Sequence, residues 1–363
     1  RRDKMLHRQK NGVFSANKPV VTVDTEKLRQ EGVTEKELER YFPGYILNPE
    51  KLRYGWLKHF GLLTIRWFLT IIVKLFLSPR SSAGSLDQSE IDEVYTREAR
   101  TYNRKHHLTT CGMDLVWRRA AGWFVSAIGR SRQSRLKILD ICTGTGLTVK
   151  ELHSILQEWN VDAELIGLDY NEHMLAVARN GAMPKSDQIN FVRGDAMNLS
   201  GSFDPDSFDV ATQVFGIGGI PEPLKVFSGV LRILKPGGQF LMIDMHKPIP
   251  EQPGEWPFFL KWCRFPVMEM VVYEDSTLPV VLNRLWGWRD TTLCFYLLPL
   301  ATYRDNDGRY WGFEVRYFEQ ESQRWWFALP LMPIAKIVVE KVGISEGIAR
   351  KREAILNACT ASQ

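Results

Sequence analysis

Between residues 136 and 243 short apolar runs alternate with stretches whose apolar residues recur every three to four positions. The short runs, at 136–141, 163–168, 189–192, 208–214 and 239–243, predict strands. The periodic stretches, at 148–158, 172–179 and 223–234, predict helices, and further helical patterns precede them at 91–104 and 114–128. Strands that alternate with helices imply an α/β fold, with a mostly parallel sheet covered by helices on both faces. Ligands in such a fold bind at the carboxyl ends of the strands.

The flanks follow other patterns. A short helix is predicted over 24–41, and residues 81–89 read as a Ser/Gly-bearing linker. Residues 56–79 are mostly Leu, Ile, Phe, Trp and Val, but Arg66, Thr70 and Lys74 are spaced by four and share a helical face with His59. That is the pattern of a helix lying in a membrane interface, with its cations toward the head groups. The alternative is a helix packed on the protein's own core. After residue 250 the alternation stops. The aromatic-rich runs 291–303 and 309–320 flank Asp-Asn-Asp-Gly (305–308) and predict a hairpin. The apolar run 327–339 carries Pro330 and Pro333, so it is not one straight helix, and 350–358 suits a short final helix. Three regions result: a basic N-terminal arm (1–85), an α/β core (86–250) and an aromatic-rich C-terminal region (251–363), read as a substrate cap with an extra core layer as the alternative.

Charge sharpens the division. The chain of 363 residues has a net charge of +5, yet residues 1–85 hold 16 Lys/Arg against 8 Asp/Glu. A basic arm on a slightly acidic body suggests an anionic lipid surface as its partner rather than nucleic acid. The five cysteines are scattered, which favours free thiols and a reducing compartment and gives no metal-ligand spacing. No intact signal peptide is expected from the first residues.

The chemistry is concentrated at strand ends. Asp140 closes the first strand and runs into a turn containing Thr143, Gly144 and Gly146. The two glycines allow positive φ and a close backbone approach to a ligand, and the helix that follows directs free N–H groups into the turn. Asp169 ends the second strand and is placed to accept both hydroxyls of a ribose. Asp195 follows the third, with Ala196 and Met197 beside it, placed to accept from an adenine amino group. No G-x-G-x-x-G is present and the turn holds no Lys, so neither a dinucleotide fingerprint nor a P-loop fits. A cofactor with an amino-acid end, a ribose and an adenine but no phosphate fits best: S-adenosylmethionine.

From about residue 91 to 248 the chain resembles the class I S-adenosylmethionine-dependent methyltransferases. It is most similar to the ubiquinone/menaquinone biosynthesis C-methyltransferase family. The resemblance rests on Tyr102 with Gly112 and Trp117, Leu-Asp-Ile-Cys-Thr-Gly-Thr-Gly (139–146), and Gly-Leu-Asp-Tyr-Asn-Glu-His-Met-Leu (167–175). It continues through Gly-Asp-Ala (194–196), Phe-Asp-Val (208–210), Phe-Gly (215–216), Leu-Lys-Pro-Gly-Gly (234–238) and His-Lys-Pro (246–248). It implies a Rossmann-like class I methyltransferase fold and methyl transfer to a lipid-like ring. The cofactor-binding candidates are then Tyr102, Asp140, Thr143, Gly144, Gly146, Asp169, Tyr170, Asp195 and Ala196. The candidates for a general base are His106, His107 and His246, since proton transfer by a placed side chain contributes about 10²–10⁴-fold. The family's Arg-Asn pair after Phe-Gly, linked to activating the quinone ring, is replaced by Gly218 and Gly219.

The expected activity is methyl transfer to a hydrophobic, membrane-borne acceptor such as a quinone or phenol precursor. The alternative is an accessory subunit of a membrane complex that keeps the fold with little catalysis. The expected location is intracellular and peripheral to a membrane. In a eukaryote that is the matrix side of the mitochondrial inner membrane, and otherwise the cytoplasmic membrane face.

Overall fold

The alternating runs form one eight-stranded sheet. The computed structural model describes residues 88–110, 112–132, 134–181, 188–245, 291–324 and 330–360, and two-residue strands at Val20–Val21 and Ile46–Leu47. The expected helices at 24–41 and 56–79 therefore lie outside the described residues. The parallel strands are β1 (Leu136–Ile141), β2 (Ala163–Asp169), β3 (Ile189–Arg193), β4 (Phe208–Val214) and β5 (Leu234–Met245). Three more follow: β6 (Thr302–Arg304), β7 (Tyr310–Arg324) and β8 (Pro330–Ile344). The order across the sheet is β3-β2-β1-β4-β5-β8-β7-β6. The first five strands are mutually parallel, and β8 enters antiparallel beside β5. The order reverses between β1 and β4, the switch point of a doubly wound sheet. This is the Rossmann-like arrangement expected from the alternation.

The helices are α1 (Gln88–Glu98), α2 (Tyr102–Thr109), α3 (Met113–Arg132), α4 (Leu147–Glu158), α5 (Glu172–Asn180), α6 (Pro223–Ile233), α7 (Thr292–Leu297) and α8 (Glu346–Thr360). On one sheet face α3 buries Trp117, Ala121 and Val125, spaced by four, while α4 buries Val149, Leu152 and Leu156. On the other face α6 buries Val226, Phe227, Val230 and Leu231 against Phe240, Met242, Phe295 and Val339. Burying a large apolar side chain stabilises by roughly 1.5–3 kcal/mol, so these two stripes bind the layers together.

Two expectations are corrected. The helix expected over 91–104 is broken into α1 and α2. The Thr101 hydroxyl donates to the Glu98 carbonyl at 3.2 Å, an alternative to continued helix. The first arm of the expected hairpin is mostly helical: α7 and a 3-10 turn at Leu298–Leu300 precede the three-residue β6. Phe295, Tyr296, Leu297, Leu298 and Leu300 are all buried, and a run with no polar face carries no period to separate helix from strand. The turn at 305–308 does join β6 to β7, with Gly308 at φ +80°.

The region expected to be a cap after residue 250 instead supplies β6, β7 and β8 of the same sheet in its described part. The boundary drawn at 250 falls between neighbouring strands. Pro330 and Pro333 sit at the irregular start of β8, where the register shifts and a missing N–H is tolerated.

Lys341 fastens this late strand. It is 1 % exposed, and its Nζ donates to Asp206 Oδ1 at 2.6 Å and to the Leu234 carbonyl at 2.7 Å. The same Nζ lies 4.9 Å from the centre of the Trp311 ring. Lys341→Ala strands a buried carbonyl and removes the cation–π contact, so a loss of about 3 kcal/mol is expected in chemical denaturation. A midpoint unchanged from the parent would show that β8 does not depend on this lysine.

Candidate functional site

The loops after β1 and β4 meet at the switch point. Cys142 and Phe215, neither a glycine, adopt φ of 55° and 60° there, a conformation costing roughly 1–2 kcal/mol per residue. Gly216 makes the approach possible, because a Cβ on it would stand 2.5 Å from the Cys142 Cβ. Asp140 holds the turn from beneath. It is 2 % exposed and accepts from the hydroxyls of Thr143 and Thr212, each at 2.7 Å. Burial pushes its carboxyl up to about 6 despite those two bonds. From the β2 side, Asp169 Oδ2 accepts from the Gly144 N–H at 2.7 Å, and Oδ1 accepts from the Asn171 N–H at 2.9 Å. Burial raises the Asp169 carboxyl as well, against its backbone hydrogen bonds.

A cleft opens above this turn. Gly144, at φ +57°, forms its floor and Tyr102 part of its wall. Asp195 caps the 3-10 turn that follows β3, accepting from the Met197 N–H at 2.8 Å, and Ala196 lies beside it. Three carboxylates line the cleft, from Asp92, Asp169 and Asp195, and none of its described lining residues is Lys or Arg. Such a cleft repels phosphate and favours a cationic or neutral nucleoside. The residues present thus fit S-adenosylmethionine.

Residues 84–276, more than half of the chain, match the model of the ubiE/COQ5 methyltransferase family. The chain belongs to the ubiE/COQ5 methyltransferase family. It is 28% identical over 202 residues to a demethylmenaquinone methyltransferase of Clavibacter sepedonicus, covering 55% of this chain and 77% of that protein. It is 31% identical over 183 residues to the demethylmenaquinone methyltransferase of Desulfitobacterium hafniense, covering 49% and 68%. A ubiquinone/menaquinone biosynthesis C-methyltransferase UbiE of Idiomarina loihiensis is 29% identical over 189 residues, covering 51% and 71%. The protein is thus an S-adenosylmethionine-dependent methyltransferase.

Of the cofactor candidates in this methyltransferase, Tyr102, Gly144, Asp169, Tyr170, Asp195 and Ala196 line the cleft. Asp140, Thr143 and Gly146 do not. They build the turn beneath it, with Gly146 at φ +78° as the N-cap of α4. The three histidines separate too. His246 lies outside the described residues. His107 is exposed, with Nδ1 3.2 Å from Asp114 Oδ1. His106 is 6 % exposed and stands one layer behind the cleft wall. Its ring centre lies 5.5 Å from that of Tyr102 and 5.3 Å from that of Phe215.

Several lining residues were not among the sequence candidates. Tyr95 and Ile91 come from α1, which lies over the cleft. Asn171 holds that helix. Its Oδ1 caps α5 by accepting from the Met174 N–H at 2.9 Å, and its Nδ2 reaches the Asp92 carboxylate and the Thr96 hydroxyl, each at 2.7 Å. An Asn immediately before a helical pattern is a cap signal, but its grip on α1 is a long-range contact that no local pattern carries.

S-Adenosylhomocysteine at a hundredfold its Kd should stabilise the protein by roughly 2.7 kcal/mol, read by thermal denaturation. Asp169→Ala should lose that shift. Asn171→Ala should lose about 1 kcal/mol of intrinsic stability through its cap and weaken ligand affinity roughly tenfold by loosening α1. An undiminished shift in Asp169→Ala would remove Asp169 from the binding set.

Proposed function

We propose that the methyltransferase acts on a hydrophobic, membrane-borne aromatic acceptor such as a quinone or phenol precursor. The observation that carries this is the make-up of the cleft beyond the acids: Ile91, Tyr95, Tyr102, Phe215 and Ile220 make an apolar, ring-lined wall. The names of the quinone-biosynthesis relatives point the same way. A basic arm over residues 1–85 suits an anionic membrane surface. The working location is then the face of an intracellular membrane, the matrix side of the mitochondrial inner membrane in a eukaryote or the cytoplasmic side in a bacterium. Among the described residues no helix is long and apolar enough to cross a membrane.

S-Adenosylmethionine supplies an electrophilic methyl group when bound. The chain positions the acceptor, excludes water and removes a proton. Positioning alone can account for much of the rate. The turn at Ile217–Gly219 offers no ionisable side chain to the acceptor. We therefore assign proton uptake to His106. Burial lowers its basicity, which keeps the imidazole neutral and able to accept. The groups facing it are Tyr102 and His107 from α2, and Asp114 and Arg118 from α3. Asp114, 3.6 Å from His106 Nδ1, is held well below the usual carboxylate range. It is therefore charged and can balance an imidazolium.

The sign of the pH effect follows. His106 titrates below its ordinary value, so activity should fall only as pH drops beneath about 6.5 and the ring charges. In His106→Gln that acidic limb should vanish, and kcat should fall roughly 10²-fold with KM little changed. Purified protein would be assayed in vesicles carrying a prenylated phenol or quinol, across pH 5–9. A variant with the parent's pH profile would remove His106 from the chemistry. Protein that binds S-adenosylhomocysteine yet methylates no such acceptor would instead be the accessory subunit.

A further inference from the structure

Tyr95 stands over the turn that follows β4. Gln88, Ile91, Asp92 and Tyr95 recur at helical spacing along α1, and all four line the cleft. One face of α1 therefore lies over the ligand space. Asp92 is held there by the Asn171 side chain at 2.7 Å. Tyr95 comes about one turn further along the helix. Its ring meets that of Tyr102 edge-on, with 6.2 Å between centres. That contact helps to orient the phenol.

Gly219 marks where the hydroxyl points. A Cβ on Gly219 would stand 3.5 Å from Tyr95 Oη and 3.6 Å from its Cε2. Gly219 is not among the glycines in left-handed geometry, so its backbone does not demand a glycine. The missing side chain instead leaves room beside the tyrosine. The backbone donors of the turn are already used. The Ile217 N–H donates to Asp244 Oδ2 at 3.2 Å, the Gly219 N–H to the Gly216 carbonyl at 3.2 Å, and the Ile220 N–H to the Ile217 carbonyl at 3.0 Å. The Tyr95 hydroxyl has no hydrogen-bond partner among the described residues. Burial pushes that hydroxyl up, and Tyr102, Asp169, Cys142 and Asp244 around it push the same way. It therefore stays protonated and able to donate.

The sheet order places β4 on the opposite side of β1 from β2 and β3. Asp169 and Asp195, which follow β2 and β3, suit the ribose and adenine. The space between Tyr95 and the β4 turn, bounded by Phe215, Gly216 and Ile220, is then left to the acceptor. We propose that the Tyr95 hydroxyl donates a hydrogen bond to a ring oxygen of the acceptor, in the space that Gly219 leaves open. This deepens the proposed function and rests on its reading of the acceptor as a phenol or quinol. One placed polar group in a mostly apolar wall fixes how a ring sits. Tyr95 thus favours oxygenated rings over plain hydrocarbon ones and sets which ring carbon faces the methyl donor.

The test compares two ring ligands by anaerobic titration calorimetry in saturating S-adenosylhomocysteine. One is a short-chain prenylated hydroquinone, and the other is the same prenylated ring without its oxygens. The parent protein should bind the hydroquinone at least about tenfold more tightly. Tyr95→Phe removes one oxygen atom and keeps the ring wall. It should shrink that preference roughly tenfold through the hydroquinone alone. The oxygen-free ring and S-adenosylhomocysteine should each bind Tyr95→Phe within about twofold of the parent. A preference unchanged in Tyr95→Phe would overturn the proposal while leaving the acceptor class intact. Equal weakening of both ring ligands would do the same, since Tyr95 would then serve only as wall. Parent protein that binds S-adenosylhomocysteine but neither ring ligand would overturn the acceptor reading, and this proposal with it.

Discussion

The site depends on how the turn after β1 is held between its two neighbouring strands. Asp140 and Thr212 are register partners across β1 and β4, and their side chains are joined by a hydrogen bond. Thr143 reaches back to the same carboxylate from the turn. On the other side, Asp169 at the end of β2 takes the Gly144 N–H. A buried carboxylate, Asp140, and a half-buried one, Asp169, thus clamp one loop from both sides. Burial makes them reluctant to ionise, and hydroxyl and backbone donors oppose that. A clamp of this kind can support two residues in left-handed backbone geometry, Cys142 and Phe215, because the surrounding contacts over-determine their positions.

The cleft above the turn is closed by segments that lie before the sheet in the chain. Asn171 ties α1 to the end of β2. Tyr95, Tyr102, His106, Phe215 and Trp117 form a continuous series of ring contacts from α1 to α3. One end of that series touches the cleft and the other is buried in the core. The charged groups sort themselves around it. The carboxylates of Asp92, Asp169 and Asp195 line the cleft, and Arg118 is buried outside that lining against Thr148. Methyl transfer needs an ordered approach of donor and acceptor more than strong acid–base chemistry, and a stiff ring-lined wall serves that need.

The C-terminal strands close the other half of the sheet. β8 runs antiparallel beside β5, and Lys341 binds it to the loop before β4 and to the start of β5. Residues far apart in the chain therefore form one core with α6 and α8, which leaves the carboxyl ends of β1, β2 and β4 free for the ligand.

The sequence by itself determined the parallel strands β1 to β5, the helices between them and the cofactor. Each of those elements has its own period, and the acids and glycines of the site sit at strand ends, where position along the chain equals position in space. The turn at 305–308 and the strand after it were legible as a hairpin arm, but the helical first arm, β8 and the split of α1 from α2 were not. The run 294–300 is buried and has no period, and the Thr101 break depends on a side-chain hydrogen bond. Tertiary structure alone decided which candidates face the cleft. It put Asp140, Thr143 and Gly146 under the turn and His107 on the surface. It also put Asn171 and Tyr95 around the ligand space, because those roles arise from contacts between α1 and strand ends that no local pattern encodes.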